Sequence, residues 1–357
     1  PVDMKKGKRL AGIDVTTLPA GDYCLACNRW GKNRDPLTEP REFVRGNVPF
    51  FGWTALSTQH APCACNEIHA LCYRVLPPKP PMSLGAARRY RKQMWRMVRS
   101  FYHMAGDQKL QPWSLKRVVA AAPAHKRRQY EAELREMLES GDFTLQHYHL
   151  TLSAFVKLEN SNLAGKPAEG KPLVSRLIQY RSIRYNLHYG RVIKPIEKLF
   201  YKYNGPTKVP WHGQIDLTWV FDGITAEACA DLILRHMALY LVPLVLSVDA
   251  SKFDRHVAVT HLKNTHQFYK MVCSVGGVDY YERCTEAQLY SRGKTAHGIR
   301  YKLNGNRASG DPDTALGNKI VVILLVQAIM SDLGVERYSV GNRGDDCLIF
   351  LDYSEYE

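Results

Sequence analysis

The alternation of apolar and polar positions changes character along this chain, and those changes predict its elements. Over residues 1–74 no period persists and Gly, Pro, Cys and Asn recur, so irregular structure with short strands is expected. The run Pro77-Pro78-Lys79-Pro80-Pro81 then interrupts the chain. Beyond it, Ser83 is placed to cap a helix over residues 86–102, where Tyr90, Trp95, Met97 and Phe101 alternate with Arg88, Arg89, Arg91, Lys92, Arg96 and Arg99. One face is basic and another apolar, so this helix could follow a phosphate backbone, lie on an anionic membrane surface, or simply present solvated charge. Alternation over residues 171–181 predicts a strand carrying several cations, with Arg184 and Arg191 extending the positive surface. A helix capped by Thr225 and reaching about Tyr240 precedes the apolar strand at residues 244–248, which delivers Asp249. The apolar run over residues 320–330 is helix-like, but Gln327 interrupts it and it is too short to span a bilayer, so no transmembrane segment is expected. Finally, Tyr338-Ser339-Val340 and Cys347-Leu348-Ile349-Phe350 flank a Gly/Asn/Asp cluster, predicting a hairpin with two carboxylates at or near its tip.

Composition narrows the class. At 357 residues, 45% hydrophobic and 23% charged, the chain has the usage of an ordinary globular protein with one large or two to three packed subdomains. Its net charge of +15 suits an anionic partner such as nucleic acid. Nine cysteines at irregular spacing, without an N-terminal apolar leader, point to reduced thiols in a cytoplasmic setting. Cys24 and Cys27, with Cys63, Cys65, His69 and Cys72, are enough soft ligands for a structural zinc, and His60 could compete; ordinary thiols are the alternative. A chain that opens on Pro1 rather than methionine is expected to be an excised fragment, a processed product or the continuation of a longer frame.

Three segments carry the chemistry. In Asp249-Ala250-Ser251-Lys252-Phe253-Asp254, a carboxylate sits where a strand runs out; it can hold a divalent metal, though a turn former or helix cap is the commoner meaning of such an aspartate. In Ser309-Gly310-Asp311-Pro312-Asp313-Thr314-Ala315-Leu316-Gly317-Asn318, a glycine bend leads into a helix, and its polar side chains could meet a ribose or a template. In Gly344-Asp345-Asp346, adjacent carboxylates repel one another, which either a cation or solvent exposure relieves.

Taken in order, Asp-x4-Asp, Ser-Gly-x3-Thr-x3-Asn and Gly-Asp-Asp resemble motifs A, B and C of the positive-strand RNA virus polymerases. Residues 247–257 are similar to the tombusvirus-like group in particular, and residues 176–181 resemble its motif F. The resemblance covers about residues 155–350; the stretch before Phe155 resembles no named family. It implies an α/β (α+β) right-hand polymerase fold, with an antiparallel palm sheet and helical fingers. The implied division is an N-terminal extension at 1–83, fingers at 84–221, palm with motif A at 222–262, a fingers insertion at 263–308, and palm with motifs B and C at 309–357. It further implies that Asp249 and Asp345, assisted by Asp346, bind Mg²⁺ with Mn²⁺ as a substitute, and that Asp254, Asn318 and Ser309 recognise the ribose 2′-hydroxyl, with Thr314 in the same network. Arg176 is the first candidate for the incoming triphosphate, joined by Lys157, Lys171 and Arg181.

The implied reaction is RNA-directed RNA synthesis from ribonucleoside triphosphates on an RNA template. Other viral replication proteins are the implied partners, and membrane-associated complexes in the host cytoplasm the implied setting. One departure stands out. The family continues after motif C into a segment with a lysine general acid and a thumb, whereas this sequence stops eleven residues after Asp346, so an absent thumb and an inactive isolated chain are expected. A reverse transcriptase would carry an aromatic steric gate at the position of Asp254 and an aromatic-x-Asp-Asp turn, and Asp254 and Gly344 argue against it. A non-catalytic RNA-binding subunit gains nothing from the acidic set.

Overall fold

The computed structural model describes residues 23–24, 29–30, 57–59, 62, 64–162, 174–205, 217–275 and 279–356. Three short strands come first: β1 (Tyr23–Cys24), β2 (Arg29–Trp30) and β3 (Ser57–Gln59). They are followed by α1 (Ala64–Ala70), which runs directly into a π-helical turn, Leu71–Val75. These two helical segments correct the expectation of irregular structure and short strands up to Arg74, of which the short strands are present. The long helix α2 (Leu84–Met104) starts as expected, with the Ser83 hydroxyl accepting from the amide of Ala86. Next come α3 (Leu115–Ala120), α4 (Ala124–Ser140), α5 (His147–Leu150), β4 (Leu152–Val156), β5 (Asn160–Asn162), β6 (Leu177–Tyr180) and α6 (Ile183–Phe200).

The remainder comprises α7 (Ala226–Met237), β7 (Pro243–Val248), α8 (Phe253–His256), α9 (Val259–Val272), α10 (Asp279–Leu289), β8 (Arg292–Thr295), β9 (Arg300–Lys302), α11 (Thr314–Asp332), β10 (Tyr338–Arg343) and β11 (Asp346–Asp352). Thr225 caps α7 through its hydroxyl, as its sequence position predicts.

The fold is mixed α/β. A three-stranded antiparallel sheet, in the order β10-β11-β7, carries the first and third chemical segments. Its apolar side (Val340, Ile349, Leu351) joins one large core with Phe101 of α2, Ile196 of α6, Phe268 of α9 and Ile320 of α11. Helix α11 is longer than the run visible in sequence. At 19 residues with mean hydropathy 1.7 it reaches membrane-crossing length and apolarity, but 67% of its apolar window is buried inside the fold, where it serves as the central core helix. A second, mixed sheet, β6-β4-β8-β9, has β4 and β8 parallel and packs Leu152, Ala154, Val156 and Leu177 against Ala70, Leu71 and Val75. That packing brings the π-helical turn to the edge of the candidate site.

Among the described residues of the cation-bearing segment, Leu177–Tyr180 form the strand, where Leu177 and Gln179 bury one face on β4 while Arg176 and Arg181 fall outside the ladder.

Candidate active site

The hairpin formed by β10 and β11 closes through two residues, Gly344 and Asp345, with Arg343 paired to Asp346. Gly344 takes φ +71°, a conformation natural to glycine and suited to a tight hairpin turn. Buried Asn342 ties the turn from below, its Nδ2 donating to the carbonyls of Gly344 (3.2 Å) and Asp346 (3.1 Å). On the other side β11 pairs with β7 in a register that sets Cys347 opposite Val248. Asp249 follows Val248 directly at the end of β7, as Asp346 precedes Cys347 at the start of β11, so both carboxylates leave the sheet at the same edge. Asp249, Asp345 and Asp346 are all exposed, and none has an ion-pair partner among the described residues.

After Asp249 the chain turns through Lys252, at φ +54°, into α8 and presents Asp254. Asn318, on the second turn of α11, donates from Nδ2 to Asp254 Oδ1 at 3.2 Å. Burial pushes the Asp254 carboxyl up; the Asn318 hydrogen bond, Arg307 and Arg74 oppose that push, and the nearby charge of Asp345 adds to it. The Asn318 carbonyl oxygen is buried with no hydrogen-bond partner among the described residues, an acceptor that a hydroxyl donor would satisfy. The other two members of the expected ribose set are turned toward backbone. Ser309 accepts from the amide of Gln179 at 3.1 Å, and the Thr314 hydroxyl reaches the carbonyls of Ala308 (2.6 Å) and Asp311 (2.9 Å). Both hold the loop that carries Gly310. A Cβ at Gly310 would stand 2.6 Å from Tyr180 Cβ and 2.7 Å from the Gln179 carbonyl, so only glycine permits this approach to β6.

The expected cations divide. Lys157 and Arg176 converge on Glu159, at 2.9 and 3.2 Å, with both heads substantially exposed. Arg74, which no sequence motif marks, joins them from the π-helical turn: burial lowers its pKa, the repulsion of Arg176 lowers it further, and Glu159 and Asp254 oppose. Arg74 therefore lies within electrostatic reach of Arg176, Glu159 and Asp254. Lys171 lies outside the described residues.

Arg181 requires correction, because it is fully buried rather than facing an open site. Its guanidinium pairs with Asp311 and donates to the carbonyls of Leu150 and Ala287 and to the Ser291 hydroxyl. Burial alone would lower its pKa; the Asp311 carboxylate outweighs that and holds it above the ordinary arginine value. Arg184, expected on the same positive surface, is likewise buried and paired with Glu133 at 2.6 Å. Arg191 is spent on the Trp113 carbonyl and the Tyr280 ring.

Asp311 and Asp313, which the sequence presents as polar contacts for a ribose or template, are also interior. Asp313 accepts from Arg307 at 2.6 Å and from Gln288 at 2.8 Å. Gln288 Nε2 donates to both aspartates, so its Oε1 accepts from Nε2–H of His266 (2.7 Å). Burial lowers the His266 pKa to about 4. Arg307, unmarked in sequence, anchors this lattice.

Among the described residues no group of three or more His, Cys, Asp or Glu side chains is already gathered as a metal site. The donor set at the hairpin nonetheless fits a hard dication in kind: three exposed carboxylates at adjoining backbone positions, none committed to a cation. Of the candidate zinc ligands, the side chains of Cys24, Cys27, Cys63 and Cys65, as well as His60, lie outside the described residues. The His69 ring meets that of Tyr73 at a tilt of 59°, and Cys72 is a free thiol whose pKa burial raises.

Residues 48–357 match a family model described as viral RNA-dependent RNA polymerase. Among curated proteins, the chain is 31% identical over 249 residues to the RNA-directed RNA polymerase of Groundnut rosette virus (strain MC1), covering 68% of this chain and 27% of that protein. It is 32% identical over 291 residues to the RNA-directed RNA polymerase of Red clover necrotic mosaic virus, covering 79% of this chain and 34% of that protein. The chain thus spans about a quarter to a third of the length of these relatives.

Proposed function

Since the chain belongs to the viral RNA-dependent RNA polymerase family, we propose that it carries the nucleotidyl-transfer centre of an RNA-directed RNA polymerase. The observation that supports this reading is the β7–β11 register, Cys347 opposite Val248, which ends β7 just before exposed Asp249 and starts β11 at exposed Asp346, next to Asp345. Asp249, Asp345 and Asp346 would hold Mg²⁺, with Mn²⁺ as a substitute. Bound there, the metal would lower the pKa of the RNA 3′-hydroxyl and neutralise charge on the triphosphate. In the reaction the 3′-oxygen bonds to the α-phosphorus of a ribonucleoside triphosphate, the bond from that phosphorus to the bridging oxygen breaks, and pyrophosphate leaves.

The chain's own residues position these groups. Arg176 and Lys157 grip the triphosphate, exchanging Glu159 for phosphate oxygens, and Lys171 is assigned to the same task; Arg74 adds a third described cation between triphosphate and sugar. Asn318 and Asp254 recognise the 2′-hydroxyl: the open Asn318 oxygen accepts a hydrogen bond from it, which a deoxyribonucleotide cannot supply. Ser309 and Thr314 act through the loop they hold, and Arg181 through Asp311.

In this reading residues 222–262 and 309–357 form the palm, 84–221 and 263–308 the fingers, and 1–83 an extension upon them. RNA template, nascent RNA and other viral replication proteins are the partners, and membrane-associated complexes in the host cytoplasm the setting.

The test is primer extension on a short RNA with ribonucleotides and Mg²⁺, by this chain and by a form lengthened at its C-terminus. Asp345→Asn should lower elongation by more than about 100-fold while RNA binding persists. Undiminished elongation by that variant would reject the assignment. Tight RNA binding without elongation by either wild-type form would favour a non-catalytic RNA-binding role instead.

A further inference from the structure

Helix α2 has two faces with opposite commitments. Tyr90, Met94, Met97, Val98 and Phe101 are buried in the main core. On the other side Arg88, Arg91, Lys92, Trp95, Arg96 and Arg99 line one open groove. These positions recur every three or four residues, so they form a single stripe about 16 Å long at 1.5 Å per residue. The helix contains no Asp or Glu of its own. Arg89, on the flank, pairs with Asp332, and Arg96 donates to Gln93 Oε1 at 3.2 Å. Arg88, Arg91, Lys92 and Arg99 have no ion-pair partner among the described residues.

Like charges at these spacings weaken their own helix by roughly 0.2–0.5 kcal/mol per pair, so the stripe does not serve the stability of α2. An external polyanion accounts for it. Three observations select the polyanion. The apolar face of α2 is consumed by the core, so the helix cannot submerge it in a bilayer, and the feature that makes an interfacial helix bind is missing. Trp95, 40% exposed, sits in the middle of the stripe with cations on both sides, where an unpaired base can stack on it. Four of the five cations are arginines, which grip phosphate oxygens in a bidentate way.

We propose that the outer face of α2 is a second binding site for single-stranded RNA, separate from the candidate active site, in which the cations follow consecutive phosphates and Trp95 stacks on a base. The proposal rests on the polymerase reading only for the choice of RNA as the strand.

Titration of the chain with a labelled, unstructured oligoribonucleotide over a salt series tests it, in the Asp345→Asn background so that no chemistry intervenes. The wild-type stripe should bind a second RNA equivalent, and R88A/R91A/K92A/R99A should remove it. The slope of log affinity against log salt should shrink by about 0.7 for every phosphate that the variant leaves without a cation. Trp95→Ala should weaken that equivalent by about tenfold with little change in slope. R88K/R91K/R99K, which keeps every charge, should keep the slope. Because all these positions are exposed, thermal melts should match the parent.

Equal stoichiometry and slope in the alanine variant would overturn the proposal. So would a stripe that leaves RNA binding untouched and instead governs binding to phosphatidylserine vesicles or to an acidic peptide. If the alanine variant binds like the parent while wild type elongates a primer, this inference alone fails. If the second equivalent disappears with the stripe while no wild-type form elongates, the inference stands and the polymerase reading fails.

Discussion

Two closely spaced acidic pairs lie at neighbouring ends of the same framework, and the fold treats them in opposite ways. Asp311 and Asp313 point inward, where Arg181 and Gln288 hold Oδ2 of Asp311, and Arg307, Gln288 and two tyrosine hydroxyls hold both oxygens of Asp313; Asp311 Oδ1 alone has no partner among the described residues. Asp345, on the two-residue turn, and Asp346, the first residue of β11 after it, are exposed, with no cation of the described chain paired to them. The difference is one of solvation. A carboxylate taken out of water must find its counter-charge inside the protein, and the pair then acts as scaffold; a carboxylate left in water with its charge uncommitted is free to bind a ligand.

Removing one inward carboxylate should have the largest effect. Asp313→Ala leaves Arg307 buried without its partner and should cost about 3–5 kcal/mol in chemical denaturation. A loss under about 1 kcal/mol would show that the interior lattice is not the scaffold described.

Acid probes the same interior more gently. His188, His236, His261 and His266 each have a pKa lowered to about 4, chiefly by burial. Between about pH 6.5 and 4 the unfolded chain therefore binds more protons than the folded one, so stability is full above that window and falls as pH descends through it. For fully buried His266 the loss approaches about 3 kcal/mol. A melting temperature flat from pH 7 to 4 would contradict the burial of these rings.

At the outward site the effects should appear in function. Arg176→Ala should raise the apparent KM for ribonucleotide about tenfold, about 1.4 kcal/mol, with kcat little changed. An unchanged KM would remove Arg176 from the triphosphate set. Smallest of all, Asp345→Asn should alter unfolding free energy by no more than about 0.5 kcal/mol, the mark of a side chain outside the scaffold. A large destabilisation would erase the contrast between the two pairs.

Much of this arrangement is visible in sequence, for local reasons. The Ser83 and Thr225 caps, the β7 strand and the β10–β11 hairpin follow from residue types within a few positions of one another. Asp254 and Asn318 are 64 residues apart, and only the family resemblance predicts that they meet. What sequence hides is burial of charge. Nothing in Arg176 and Arg181, five positions apart, tells which one is half-exposed beside Glu159 and which is enclosed with Asp311; that depends on chain 130 residues distant. Arg74 is inconspicuous because it lies on a π-helical turn too short to set a period, within a segment rich in Gly, Pro and Cys.

The register of β11 has a further consequence for how the protein reaches its working form. Cys347, Ile349 and Leu351 are buried on one side of this strand, while Asp346 and Asp352 stand at its ends. Phe350, on the other side, is buried against His236; sliding the strand by a single residue would exchange these two packed faces and bring Asp346 and Asp352 toward the core that Cys347, Ile349 and Leu351 now fill. A slip that displaced Asp346 from the end of β7 would therefore also cost the core its packing, so the pattern that stabilises the sheet is the same one that holds this carboxylate in place.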